Sequence, residues 1–255
     1  MSDLADHGIA RIRAENPGPF TLSGTNTWVL GRNPAWVIDP GPSLPAHVKA
    51  VAEEVAARGG AGGIAITHDH SDHVEGLDVL RGRLDGPPVA ALRHAADVML
   101  ADGDTFGPLR AVAVPGHAPD HLAFVAGGVC FSGDAVLGEG SVFVAGQMGS
   151  YLAALERLRE LDLAVICPGH GPPVWDANAK LDGYLAHRRE RERRLLAALG
   201  EGLREEDELL DRVWDDAPQG LRPAAALTLR AHLEQLSEEG RLPPRDGGGR
   251  ASGPR

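Results

Sequence analysis

At 255 residues, 43% hydrophobic and 24% charged, the chain is long enough for one large domain, or for a core of about 175 residues with a small appendage. No run of eighteen apolar residues occurs, so no transmembrane helix and no membrane partner is expected, and the two cysteines, Cys130 and Cys167, each inside an apolar run, read as reduced core thiols rather than a disulfide framework. The net charge of −11 gives no overall attraction for polyanions, although bound cations would reverse that sign locally.

The N-terminus, MSDLADHGIARIRAENPGPF, carries early acidic residues and no apolar h-region, which points to the cytoplasm. TWVLG (27–31) and AWVID (35–39) read as a hairpin pair. LPAHVKAVAEEVAARG reads as an amphipathic helix stopped at Gly59-Gly60. GIAIT (63–67) is a buried strand, VEGLDVLRGRL a helix and PVAALR a strand. RAVAVP, HLAFVAG and GVCFSGD are three more strands, followed by the helix SYLAALERLREL and the strand LAVICP. This mixed order predicts a layered α/β fold.

After Trp175 the character changes. Residues 177–199 form a charge-laced helical pattern with Glu190/Arg194 and Arg188/Glu192 as i,i+4 pairs. EEDELLDRVWDD and PAAALTLRAHLEQLSEEG read as two more helices, with Pro223 in the first turn of the second and Gly240 at its end. RLPPR reads as a short strand or wing, and 246–255 as a disordered tail. The expected division is a core over 1–176, a helical, winged-helix-like unit over 177–245, and the tail.

Residues 66–76 read ITHDHSDHVEG, with three histidines and two aspartates between positions 68 and 73. His68 and His70, one residue apart in an extended segment, share a side. Asp72 and His73 fall at the start of the following helix. Three more groups follow strand ends: His117 in VPGHAPDH, Asp134 in FSGDAV and His170 in CPGHGP, each beside a glycine turn. Imidazole and carboxylate donors at about 2.0–2.2 Å suit a zinc-like ion, and seven donors suffice for two such ions. No HExxH helix is present. Asp69, between the two histidines, is expected to point away.

THDHSDHVEG, with His117, Asp134 and His170 following in order, resembles the HxHxDH signature of the metallo-β-lactamase superfamily over about residues 20–175. The resemblance implies a four-layer αβ/βα sandwich with two metals at one sheet edge. It implies His68, His70 and His117 on the first metal, Asp72, His73 and His170 on the second, and Asp134 bridging. Two Zn2+ are expected, with Fe or Mn as alternatives, and Asp39 in the IDPG turn is expected to support the metal loop. GTNTWVLG, PGHAPDH and the three-helix C-terminal unit resemble the β-lactamase-like protein 2 subfamily, which carries a winged-helix-like C-terminal domain and includes single-strand endoribonucleases.

The expected activity is hydrolysis by a metal-bridging hydroxide of an ester-class bond, in a small-molecule ester or thioester or in single-stranded RNA. The alternatives are a glyoxalase II-like hydroxyacylglutathione thioesterase, a β-lactamase, and a non-catalytic metal-binding module. Asp134, where true β-lactamases of the superfamily carry Cys or Ser, disfavours the β-lactamase. RNA needs a basic or aromatic groove; HRRERERR (187–194) is the one basic run, and its interleaved Glu fits a solvated helix face. The 223–238 helix offers only Arg230 and His232, so sequence-specific DNA binding is not expected. The C-terminal unit is read as a cleft cover or a homodimer contact. Asp72 is the candidate to orient the hydroxide or accept its proton, His121 the candidate general acid, and Asn26 the candidate donor to the oxyanion or substrate. Tyr151 and His187 are expected to line the cleft.

Overall fold

A computed structural model describes residues 3–93 and 96–244. Two sheets face each other. The first has six strands in chain order: β1 (Ile9–Arg13), β2 (Asn26–Leu30), β3 (Ala35–Ile38), β4 (Ala61–Ala65), β5 (Val89–Ala91) and β6 (Val98–Met99). The β1–β3 pairings are antiparallel and those from β3 to β6 parallel. The second sheet has the order β11-β10-β9-β8-β7, built from β7 (Thr105–Phe106), β8 (Leu109–Ala113), β9 (Leu122–Ala126), β10 (Val129–Gly133) and β11 (Val165–Pro168).

The layering follows from which strand faces are apolar. Trp28, Ile38, Leu109, Leu122, Phe124 and Phe131 form the core between the sheets. The opposite face of the first sheet, with Val29, Val37 and Ile64, packs on α1 (Pro45–Ala57) and α3 (Leu77–Arg83). That of the second, with Ala123, Cys130 and Ile166, packs on α4 (Met148–Arg159) and α5 (Ala177–Gly200). The result is the expected αβ/βα sandwich. Each fully buried large side chain in these layers contributes about 1.5–3 kcal/mol. Cys130 and Cys167 are buried and free, on opposite faces of their sheet.

The helix expected over VEGLDVLRGRL is divided. A short α2 (Ser71–Val74) ends before Gly76, whose N–H donates to the Gly41 carbonyl. A Cβ at Gly76 would meet the carbonyls of Gly41 and Pro42 at 3.0 and 3.1 Å, so the metal loop and the turn after Asp39 are in close contact.

The C-terminal helices are α5, α6 (Glu206–Val213) and α7 (Arg222–Glu238). Leu195, Leu199, Leu209, Val213, Trp214 and Leu229 make a separate small core among them. The first half of α5 belongs to the other core: Leu181, Tyr184 and Leu185 pack with Tyr151 and Leu155 of α4. The i,i+4 pairs expected on α5 do not form as such. Arg188 is buried, Arg194 meets Asp215, Glu192 meets Arg241, and Glu190 pairs with Arg193. Residues 241–244 form no strand, so no wing is seen there, and Arg245 and the tail lie outside the described residues.

Candidate metal centre

The reactive groups gather where strands of both sheets end. β4 runs through Ile66 and Thr67 into His68, β10 ends at Gly133 before Asp134, and β11 ends at Pro168 before His170. The backbone around Asp134 leaves no room for larger residues. A Cβ at Gly169 would sit 2.4 Å from Asp134 Oδ1, and one at Gly133, whose φ is +48°, 2.6 Å from Thr67 Oγ1.

Donor atoms of His68, His70, His117 and Asp134 lie within 4.8 Å of one another, and so do those of Asp72, His73 and His170. Within the first group His70 Nδ1 is 3.0 Å from both His68 Nε2 and His117 Nε2. Within the second, His170 Nε2 is 3.3 Å from His73 Nε2 and 3.3 Å from Asp72 Oδ2. Asp134 reaches both, with Oδ2 3.6 Å from His117 Nε2 and 3.2 Å from His170 Nε2, and Oδ1 3.5 Å from His73 Nε2. Two donors about 2.1 Å from one ion at a tetrahedral angle sit about 3.4 Å apart, so these separations suit metal ligands.

The outer hydrogen bonds favour the same use. Thr67 Oγ1 donates to Asp39 Oδ2 at 2.8 Å and can then accept from His68 Nδ1 at 2.9 Å. His73 Nδ1 faces Asp39 Oδ2 at 2.9 Å, and His117 Nδ1 faces the Phe143 carbonyl at 3.2 Å. With those nitrogens donating, each Nε2 keeps a lone pair for a cation. Buried Asp134 Oδ1 accepts no hydrogen bond among the described residues, as a carboxylate reserved for a cation would. The donor set therefore fits two divalent ions.

The carboxylates of this cluster draw protons onto two of its histidines. Burial pulls the His73 and His170 pKa values down, but the carboxylates of Asp134, Asp39 and Asp72 overcome it, lifting His170 to about 9 and His73 well above its usual value. Burial raises Asp72, yet the contacts with His170 and His73 bring it to about 2. Burial and neighbouring histidines hold His68 well below its normal range.

All seven expected ligands are thus together, and Asp39 serves beneath them, accepting from Thr67 N, Thr67 Oγ1 and His73. Asp69 belongs to neither ligand group, and its N–H donates to Asp120. Asn26 and His121 are placed elsewhere than a substrate contact requires. Asn26 is fully buried; its Nδ2 donates to the Pro168 and Gly171 carbonyls, both at 2.9 Å, and its Oδ1 accepts from Arg11. Both amide protons are spent on the His170 loop. His121 is fully buried, its Nε2 accepts from the Asp134 N–H, and burial followed by the charge of His117 depresses it to about 3. Tyr151 is also fully buried, donating to the Ala135 carbonyl, whereas His187 does line the cleft.

Thr25 was not expected. Its Oγ1 donates to Asp72 Oδ2 at 2.8 Å. The signal was in GTNTW, because strand alternation sends Thr25 and Asn26 to opposite sides. Five of the ligands, His70, Asp72, His117, Asp134 and His170, line a cavity of about 780 Å³ whose wall also includes the 19–22 loop and α5. No described helix is long and apolar enough to cross a membrane.

Residues 97–170 match the metallo-beta-lactamase superfamily model, and residues 206–246 the beta-lactamase associated winged helix domain. A beta-lactamase-like protein 2 homolog from Caenorhabditis elegans is 33% identical over 264 residues, covering 94% of this chain and 87% of that protein. The thioesterase pkgB of Emericella nidulans is 32% identical over 78% of this chain and 61% of its own length. The crystal structure of a metallo-beta-lactamase family protein from Thermus thermophilus superposes with a TM-score of 0.74 at 24% identity, covering 91% of this chain and 94% of that one. Fold and donor set together define a metal-dependent hydrolase. The chain belongs to the metallo-β-lactamase superfamily and, within it, to the family of β-lactamase-like protein 2.

Proposed function

We propose that the protein hydrolyses a small-molecule ester or thioester, using two divalent cations held by His68, His70 and His117 on one side, Asp72, His73 and His170 on the other, and Asp134 between them. The observation that carries this reading is the approach of Asp134 to both histidine groups in the wall of the cavity. A volume of about 780 Å³ matches a drug-sized ligand. Zinc is the first assignment, and the all-nitrogen-and-oxygen donor set also suits iron or manganese.

The chemistry such ions supply when bound is Lewis acidity, which acidifies water and polarises a carbonyl oxygen. The chain's own groups hold the geometry. Thr25 fixes the Asp72 carboxylate, whose free lone pairs can accept a proton from attacking water. Asp39 and Thr67 orient His73 and His68. We assign His121 to holding the Asp134 backbone, and Asn26 to holding the His170 loop, rather than to proton or oxyanion contacts. Residues beyond 176 roof the cavity.

The basic run 187–194 supports a small molecule over RNA. Arg189, Arg191, Arg193 and Arg194 each have a carboxylate partner, and Arg188 is buried. Little cationic surface there remains for a phosphate backbone. The similarity to a protein named as a thioesterase points the same way. The test is a comparison of purified protein on simple thioesters, S-lactoylglutathione, nitrocefin and single-stranded RNA, with metal analysis. Thioester cleavage that chelation abolishes and zinc restores is expected. Fewer than one metal ion per chain, or RNA cleavage without ester cleavage, overturns the reading.

A further inference from the structure

Lys180, Tyr184, His187, Arg188 and Arg191 lie at i, i+4, i+7, i+8 and i+11 on α5, a spacing that gives them one helical face, and all five line the cavity. From Lys180 to Arg188 the face runs about 12 Å. Its cations are not equally compensated. Arg191 meets Asp216 and the Val213 carbonyl. Arg188 is buried and donates to Ser141 Oγ and the Val142 carbonyl, but its Nε has no partner and no carboxylate lies within ion-pair distance among the described residues. Lys180 Nζ donates to the carbonyls of Gly138 at 3.2 Å and Gly140 at 3.5 Å and lies 5.3 Å from the centroid of the Tyr184 ring, with no carboxylate at ion-pair distance among the described residues. Exposed Glu139 is its acidic neighbour yet makes no ion pair with it. The other walls are largely apolar, with Phe20, Leu137, Val142, Phe143, Trp214 and Leu221.

Unpaired cations beside apolar surface are costly unless an anion joins them. We propose that this face of α5 receives a carboxylate carried by the substrate, so that the preferred substrate is an apolar ester or thioester with a carboxylate remote from the scissile bond. Lys180 makes the direct contact, and Arg188 sets the positive field behind it. This inference rests on the hydrolase reading, but its test does not require turnover.

Calorimetric titration of the metal-loaded protein with 4-phenylbutyrate and with the neutral 4-phenylbutyramide separates the possibilities. The carboxylate should bind about tenfold tighter or more. Lys180→Met should abolish that preference and Lys180→Arg should restore much of it, with unchanged melting temperatures. Equal affinity for acid and amide overturns the proposal. So does an acid preference that survives Lys180→Met, because the carboxylate then sits on the metals. Binding of single-stranded oligouridylate through Lys180, with neither phenyl ligand bound, replaces the small-molecule site with an RNA contact. Acid-selective binding through Lys180 in a protein that cleaves no ester would defeat the hydrolase reading alone; ester cleavage without acid selectivity would defeat the anion site alone.

Discussion

The backbone N–H of Asp134 donates to His121 Nε2 at 3.0 Å, and the His121 ring stacks on His68 with centroids 4.8 Å apart. One buried imidazole therefore positions two members of the first donor group, one of them the carboxylate that approaches both groups. Because Nε2 accepts, the proton resides on Nδ1, which has no partner among the described residues. His121→Ala should cost about 2–4 kcal/mol, from an unpaired N–H plus a cavity, and should weaken metal binding. Urea denaturation measures the first. For the second possibility, a general acid, the dependence of kcat on leaving-group pKa is diagnostic: it should be the same in wild type and variant, and a steeper dependence in the variant would reinstate the acid role.

Asn26→Asp keeps the size of the side chain but removes both donors to the Pro168 and Gly171 carbonyls. A loss of about 3 kcal/mol is expected, together with weaker metal retention through the displaced His170 loop. If the denaturation midpoint holds while KM rises, Asn26 touches substrate after all.

Asp39→Asn tests the layer beneath the ligands. An amide cannot accept from Thr67 N, Thr67 Oγ1 and His73 together in the way a carboxylate does. Zinc affinity should fall about 10- to 100-fold, read by competition with a chromogenic chelator, with the fold retained by circular dichroism.

Metal uptake should release protons. In the metal-free centre the neighbouring carboxylates raise the pKa values of His73 and His170, and a cation must displace the protons they favour. Affinity should rise with pH until about 9, the His170 value. Net proton release near pH 7 is expected, measured from calorimetric enthalpies in buffers of different ionisation heat. The sign for stability is opposite. The folded His170 pKa exceeds its ordinary 6.5, so its contribution to the metal-free fold is complete below that pH and lost as pH rises through about 9. Metal-free protein whose stability increases over that interval would contradict the assignment.

The ligand set was legible because donors of the right chemistry recur at strand ends, and a strand end fixes direction. His68, His117, Asp134 and His170 needed only strands and glycine turns to be found. Roles that depend on which way a neighbouring side chain turns were not legible. Asn26 and Thr25 are adjacent, and only the pairing of β2 decides that Thr25 reaches Asp72 while Asn26 faces the Pro168 loop. His121 lies four residues after His117 but behind the cluster, because β9 begins there and carries it into the core. β1 escaped notice because Ile9–Arg13 alternates with two arginines, and its place at the sheet edge depends on β2. The break at Gly76 depends on a carbonyl from residue 41, invisible to any local pattern.

Half of α5 is rooted in one core and half in the other, and it is stitched down in between: the Leu137 N–H donates to Tyr184 Oη, and Arg188 bonds Val142. Thr228 of α7 accepts from Val144 N in the same loop. A chain cut at residue 176 would therefore not yield a smaller, less selective hydrolase. It would bare Tyr151 and Leu155 and untie the loop beyond Asp134. Cavity wall and reactive centre must fold, fail and be inherited as one unit, so grafting this C-terminal region onto a related core would transplant structural support along with substrate preference.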